Sequence, residues 1–370
     1  MGQAAKRTLT SASKRQAFAR KIIRRASPQS LPDMRMNLRS VMTISLSLVV
    51  GVGLIVLLLL ASSVRWQDVL SRSLAVDRMA FARLSLLFAL NSFLSSEKWR
   101  RADRVITHGE VNPLSRSTAF GLTTAGVALG QLLPIQVSMS ITRTLGTLVY
   151  GRALRRGTVA TLFEQAFDFL VAVLMMAASV CTQLLHAGAA LWLACAISGA
   201  LLGVVSAGSL MEFVSRLATR AETAKICPAR WRRTLTELRQ SGLFEASLAR
   251  QLTLISVARF VVLVLITREV SVGVHIPIPL WRLATAVPFG LLAAVVGITP
   301  GGLGLSEAAY ATFFNLSGLP LAISTQWAIA NRLLSSAAAF VAAGFGALLA
   351  VACKAFERSR TRGAENAAQV

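Results

Sequence analysis

Acidic residues, histidine and cysteine are all scarce in this sequence, and each scarcity closes a route. Three histidines and four cysteines, Cys181, Cys195, Cys227 and Cys353, are scattered over 370 residues. No pair of them has metal-ligand spacing, so no metal site is expected, and the thiols read as inert groups at packed positions. There is no Ser/His/Asp set and no nucleotide fingerprint, so no cofactor is expected either. Charged residues make up only 15% of the chain, against about a quarter in a soluble domain. The few acids, 16 against 39 Lys and Arg, leave a formal charge of +23. Such a balance can mark a nucleic-acid binder. Here, however, the basic residues sit in short clusters between apolar runs, the pattern of loops facing anionic lipid, and no nucleic-acid partner is expected.

What the chain has in quantity is apolar length. Hydrophobic residues reach 54% and the mean hydropathy is +0.61. Residues 1–40 carry ten Lys/Arg and one acid, Asp33, with Pro28 and Pro32 to break a helix. They read as a basic, disordered cytoplasmic tail. Residues 41–61 are an uncharged run of 21, long enough to span a bilayer. A cleaved signal peptide competes with a signal anchor there, and the long preceding tail fits the anchor better. Further apolar segments lie at about 79–96, 118–133, 158–182, 189–211, 248–267, 279–298 and 322–351. Two shorter stretches, 134–150 and 299–318, each start at or beside a proline. The expected fold is therefore an all-α polytopic membrane protein. It would have about eight transmembrane helices plus two broken or re-entrant segments, in a membrane domain over 41–353 with a short basic cytoplasmic tail over 354–370. With the N-terminus inside and both broken stretches counted as crossings, 29 of the 39 basic residues fall on the cytoplasmic side, as the positive-inside rule requires.

Charges inside the apolar segments are the candidate functional residues. Glu164 and Asp168 lie four apart and so share one helix face. Arg83, Arg250 and Arg282 sit near segment ends, where they can snorkel to the headgroups. Arg143, Arg259 and Arg332 lie deeper, and an intramembrane charge costs at least roughly 2.5 kcal/mol unless it is paired. The spacing suggests a repeat. Pro134 is followed by Arg143 and Glu164, and Pro300 is followed by Glu307 and then Asn331-Arg332 at similar intervals. The two halves would run in opposite directions, as an inverted repeat whose broken helices meet near the midplane. Because the charges are swapped between halves, Arg143 is expected to face Glu307, and Arg332 to face Glu164 or Asp168. Broken helices present backbone N–H groups, and arginine presents a planar fork, to an anion. The expected ligand is therefore the anionic headgroup of a membrane lipid. The alternative is that these charges only form buried ion pairs that fix packing. Pro300-Gly301-Gly302-Leu303-Gly304 is no phosphate-cradling loop, since no Gly-Lys-Ser/Thr follows, and its glycines suit a sharp reversal or a close approach. Gly126/Gly130 and Gly199/Gly203 have GxxxG spacing and read as intrachain packing faces.

ITPGGLGLSEAAY at 298–310 resembles the PGGLG-x-x-E motif of the lysylphosphatidylglycerol synthase transmembrane domain family, also called the flippase-like domain family. LFEQAFDFL at 162–170 is similar to its E-R-x-x-D segment, with Gln165 in place of the arginine. Ser140-Ile141-Thr142-Arg143 falls where the family has Pro-Gly-x-x-Gly-Glu before an arginine. Pro134-Ile135-Gln136-Val137 stands where glycines are usual. Asn331-Arg332 and Lys98-Trp99-Arg100 resemble the family's late Arg-containing helix and its Arg-Trp pair. The resemblance covers roughly 40–355. The chain ends at Val370 without the soluble aminoacyl-transferring domain, so the resemblance implies the translocating or binding half of that system, in the inner membrane of a bacterium.

Three readings follow. The first is a lipid translocase or lipid-binding transporter and not an enzyme. Arg143, Arg332 and Asn331 would be at the headgroup site, and Glu164, Asp168 and Glu307 would be counter-charges or proton carriers. Pro134, Pro300, Gly301, Gly302 and Gly304 would shape the breaks. The second is a membrane-embedded transferase on a lipid carrier, using Glu164 and Asp168 as acid and base. The third is an accessory subunit partnering a lipid-synthesis enzyme.

Overall fold

The computed structural model describes residues 38–106, 114–149, 154–185, 188–223, 241–296 and 299–367, together with Thr236. The tail expected over 1–40 lies outside the described residues except for its last three, as do Cys227 and the end of the 354–370 tail. Two units form: Met1–Ser45, of which 38–45 are described as helix, and Leu46–Val370. Among the described residues there are eleven α-helices and no strand. They are α1 (Leu38–Ser62), α2 (Trp66–Leu74), α3 (Arg78–Ile106), α4 (Arg116–Leu129), α5 (Ile135–Val149), α6 (Leu154–Leu184), α7 (Ala189–Thr223), α8 (Ala246–Gly273), α9 (Leu280–Val296), α10 (Leu305–Leu316) and α11 (Leu321–Ala367).

Six of these, α1, α3, α6, α7, α8 and α11, are long and apolar enough to cross a bilayer. The surface they present is apolar while charge is turned inward. Leu57, Leu202 and Leu348 are 62%, 63% and 72% exposed, whereas Lys98, Arg143 and Glu164 are wholly buried. That inversion suits lipid as the solvent, and the protein is integral to a membrane.

Helices α4 and α9 are shorter, with 14 and 17 residues. At 1.5 Å per residue they reach only about 21 and 26 Å, less than a hydrocarbon core of about 30 Å. Each is the first arm of an antiparallel hairpin whose second arm is an expected broken stretch. In the first hairpin, Ser115 accepts from the Thr118 N–H to cap α4. Pro134 then opens α5, where its fixed φ suits a helix start. Gly126 packs on Met139 and Thr142, and Gly146 on Leu122, so numbers rise on one arm as they fall on the other. In the second hairpin, Gly290 packs on Tyr310 and Gly302 on Ala294. A 3-10 turn, Pro300–Gly302, makes the break. Glu307 then caps α10 by accepting from the Gly304 N–H at 2.6 Å. Both GxxxG pairs serve intrachain packing: Gly130 abuts Ser138, and Gly203 abuts Leu174 and Thr253.

The repeat is present. Helices α3–α6 and α8–α11 follow the same order of long helix, hairpin, long helix. α3 pairs antiparallel with its counterpart α8, through Arg83–Glu269 at 2.8 Å, Asn91–Arg259 at 3.1 Å and Lys98–Ser256 at 2.7 Å. α4 runs antiparallel to α11, with Phe120 against Phe345 and Ser336 donating to Gln131 just past the end of α4. Since α11 reverses α10, and α10 reverses α9, α9 also opposes its counterpart α4. The two halves are therefore inverted, and their breaks touch: the Gly301 N–H donates to the Leu133 carbonyl at 3.0 Å. An aromatic group, Tyr310, Phe314 and Trp327, fastens α10 to α11 with centroids 5.0 to 6.3 Å apart.

Gly302 and Gly318 both hold positive φ, 74° and 88°. A Cβ at Gly302 would lie 2.6 Å from the Ala294 Cα, whereas one at Gly318 would meet nothing within 4 Å. An alanine in the left-handed region costs about 1–2 kcal/mol on backbone grounds alone. Gly318→Ala is expected to lose about that much. Gly302→Ala is expected to lose clearly more, read as the drop in unfolding midpoint in detergent. Equal losses would mean that the second hairpin is not packed this closely.

Candidate functional site

Five charges form a chain of alternating sign across four helices. Arg143 on α5 pairs with Glu164 on α6, and Glu164 lies 3.4 Å from Lys98 on α3. Lys98 pairs with Asp168 on α6 at 2.5 Å, and Asp168 pairs with Arg259 on α8. One end is sealed. Arg143 has no exposed side-chain surface and donates to Ser95 Oγ at 2.9 Å and to Thr123 Oγ1 at 3.3 Å. Its guanidinium also lies 5.1 Å from the centre of the Trp99 ring. The other end is open: Asp168 and Arg259 keep 30% and 16% side-chain exposure. Ser256 and Lys98 both donate to Asp168 Oδ1, and Asn91 accepts from Arg259 Nε.

That open end forms the wall of a cavity of about 220 Å³ between the two halves, bordered by Gln131 and Gln136 at the first break and by Ala294 ahead of the second. Three cations and two carboxylates leave the chain with one surplus positive charge. Some polar atoms are also unmatched. Arg143 Nε and Gln165 Oε1 are buried without a hydrogen-bond partner, a state that costs roughly 1–3 kcal/mol per group, whereas Glu164 Oε2 has the Lys98 ammonium at 3.4 Å. Glu164 and Gln165 both line the cavity.

The second charged pair sits at the breaks. Arg332 on α11 donates to the Gly301 carbonyl at 2.8 Å and to those of Pro300 and Gln131 at 3.4 Å. Its Nε is 3.8 Å from Glu307 Oε1. A single guanidinium thus satisfies carbonyls that both breaks leave without helical partners.

These placements correct the expected cross-pairing. Arg143 does not face Glu307, and Arg332 faces neither Glu164 nor Asp168: each arginine pairs within its own half. The reason is local. α5 and α6 form an antiparallel pair in which Thr144 meets Thr158 and Thr147 meets Gly157, a register that brings Arg143 to Glu164. Of the residues singled out from the sequence, Glu164 and Asp168 line the cavity, and Arg143 lies one ion pair behind it. Arg332, Glu307, Pro300, Gly301, Gly302 and Gly304 gather at the second break, with Pro134 at the first. Asn331 joins neither group; its Oδ1 accepts weakly from Ser335 at 3.4 Å. Ser256 and Asn91 were missed, and Lys98, noted only within Lys98-Trp99-Arg100, was given no part in the site. Lys98 lies just past the apolar segment expected to end at about 96, yet α3 runs on to Ile106 and buries it. The signal was the acid-rich face of α6, which needed more cations than Arg143 alone.

The chain matches the family described as the lysylphosphatidylglycerol synthase TM region over residues 44–357. No curated protein and no solved structure matches it.

Removing one member of a buried ion pair costs about 3–5 kcal/mol. Arg143→Glu and Glu164→Arg are each expected to lower the yield of monodisperse, folded protein sharply. The exchange of both should recover part of that yield. Combining Arg143→Glu with Glu307→Arg should recover nothing, and recovery there would restore the cross-paired arrangement.

Proposed function

The chain belongs to the lysylphosphatidylglycerol synthase TM region family, a membrane family of lipid or cell-envelope metabolism. From that premise we propose that it is a lipid translocase of a bacterial cytoplasmic membrane, moving an amphiphile with an anionic headgroup and catalysing no covalent change. The observation that carries this reading is the surplus positive charge of the ion-pair chain, presented by Arg259 to a cavity between two inverted halves. An anion entering there neutralises the cluster. Inverted repeats around a central site are the architecture of alternating access, in which one half rocks against the other. The acids suit counter-charges in this scheme better than catalysts, because both carboxylates are held in ion pairs with Lys98, Arg143 and Arg259.

Orientation follows from charge. The ends of α3 and α7 and the start of α8 fall on one side of the bundle, where Arg100, Arg101, Arg104, Arg216 and Arg220 collect. The positive-inside rule supports that side as the cytoplasmic one, and the ten Lys/Arg of residues 1–40 support a cytoplasmic N-terminus by the same rule.

The test is a vesicle assay that follows headgroup-labelled phosphatidylglycerol between leaflets. Wild-type protein is expected to speed crossing. Arg259→Gln should slow that crossing, measured per folded molecule, at least roughly tenfold, the equivalent of about 1.4 kcal/mol. No protein-dependent crossing over a panel of anionic lipids would sink the translocase reading in favour of an accessory subunit. A covalently altered lipid would favour a transferase.

A further inference from the structure

Four carboxamides line the polar cavity: Asn91 on α3, Gln131 past the end of α4, Gln136 on α5 and Gln165 on α6. Each has a donating and an accepting end, and both need partners at membrane depth. Gln131 is fully used. Its Nε2 donates to the Val127 carbonyl at 3.3 Å, and its Oε1 accepts from Ser336 at 3.0 Å. Asn91 is half used: its Oδ1 accepts from Arg259, and its Nδ2 has no partner among the described residues.

Gln136 and Gln165 differ from both. Neither side chain forms a hydrogen bond among the described residues, and Gln165 Oε1 is buried without one. Gln165 lies three residues before Asp168 and so on the same face of α6, at the open end of the ion-pair chain. Gln136 stands on the first turn of α5, just after the break at Pro134. Both share the cavity wall with Arg259. A terminal amide turns easily about its last bond, so either of its ends can meet a ligand.

Bonding capacity says what such groups fit. A phosphate oxygen only accepts, so it takes the amide N–H groups and leaves the amide oxygens unmatched. An ammonium only donates, and here it meets the surplus positive charge shared by Lys98 and Arg259. A hydroxyl donates and accepts, and it carries no charge. It satisfies both ends of a carboxamide beside a cationic site.

We propose that Gln136 and Gln165 are specificity-determining residues that read free hydroxyls on the headgroup. The cavity then takes a polyol phosphodiester, with the phosphate on Arg259 and the hydroxyls on the amides, and it rejects amino and aminoacylated headgroups. This rests on the translocase reading for the charge of the headgroup, but recognition is read by binding, apart from movement.

The experiment titrates the full chain in phosphatidylcholine nanodiscs with dihexanoyl lipids and follows the heat of binding. Phosphatidylmethanol is the reference, since it keeps the phosphodiester charge and has no hydroxyl. Phosphatidylglycerol, phosphatidylinositol or both are expected to bind about tenfold more tightly, a difference of about 1.4 kcal/mol. The larger ratio tells a glycerol from a ring polyol. Gln136→Met and Gln165→Met keep the side-chain length and lose the hydrogen bonds, and each should shrink that ratio at least roughly threefold. Arg259→Gln should weaken all three lipids. Equal wild-type affinities would overturn the proposal and leave the glutamines to water. So would a ratio that both variants retain, or tighter binding of phosphatidylethanolamine or lysylphosphatidylglycerol. A polyol preference without protein-dependent crossing would remove the translocase reading and leave the recognition standing. Crossing without that preference would do the reverse.

Discussion

A charge among apolar helices must meet an opposite charge or lose several kcal/mol to desolvation, and this requirement organises the bundle. Lys98, Arg143, Glu164, Asp168 and Arg259 come from α3, α5, α6 and α8, three elements of one half and one of the other. None of these helices can slide along its neighbour without unpairing a member. In a lipid solvent there is little hydrophobic drive between helices, so polar contacts and close approach must fix position. Small residues supply the approach at Gly126, Gly146 and Gly290, and the ion-pair chain supplies the register.

The breaks impose a second requirement, because backbone groups freed from helices find no water at membrane depth. Each half answers the other's need. Gly301 donates to Leu133, and Arg332 gathers carbonyls from both breaks while Glu307 caps α10. The two hairpins are too short to cross alone, and they meet tip to tip because their exposed peptide groups are complementary. The inverted repeat is thus a way of satisfying irregular backbone, and it leaves a polar cavity beside the junction.

Much of this was legible in the residues. Eight apolar segments, two proline-led breaks and the spacing from Pro134 and Pro300 gave the helices, the hairpins and the inversion, since hydropathy and helix-breaking chemistry are local properties. Pairing was not legible. The swapped signs at Arg143 and Glu307 suggested a bond between halves, but the register of α5 on α6 decides the partner, and packing against Thr158 and Gly157 fixes that register. Lys98 was hidden for a related reason. A cluster of charged residues after an apolar run reads as a loop, yet Lys98 is neutralised by Asp168 and Glu164 some seventy residues away, which lets α3 continue past it. Sequence periodicity reports which face of a helix is apolar; it does not report which long-range partner makes a polar position tolerable.

The odd number of charges in the chain then becomes the feature with functional weight. An even set of buried pairs would be self-contained and would serve packing alone. Five members leave one cation in surplus, with Lys98 and Arg259 sharing Asp168, and it is Arg259 that stands at the cavity while Arg143 is sealed. Asn91 holds Arg259 by a neutral contact, which orients the guanidinium without cancelling its charge. A packing device would gain from placing the surplus at the outer surface, where headgroups and water could solvate it. Its position between the inverted halves is costly to the resting protein, and on the proposed translocase reading an arriving anion would offset that cost, which is the differential interaction that a conformational change needs from its ligand.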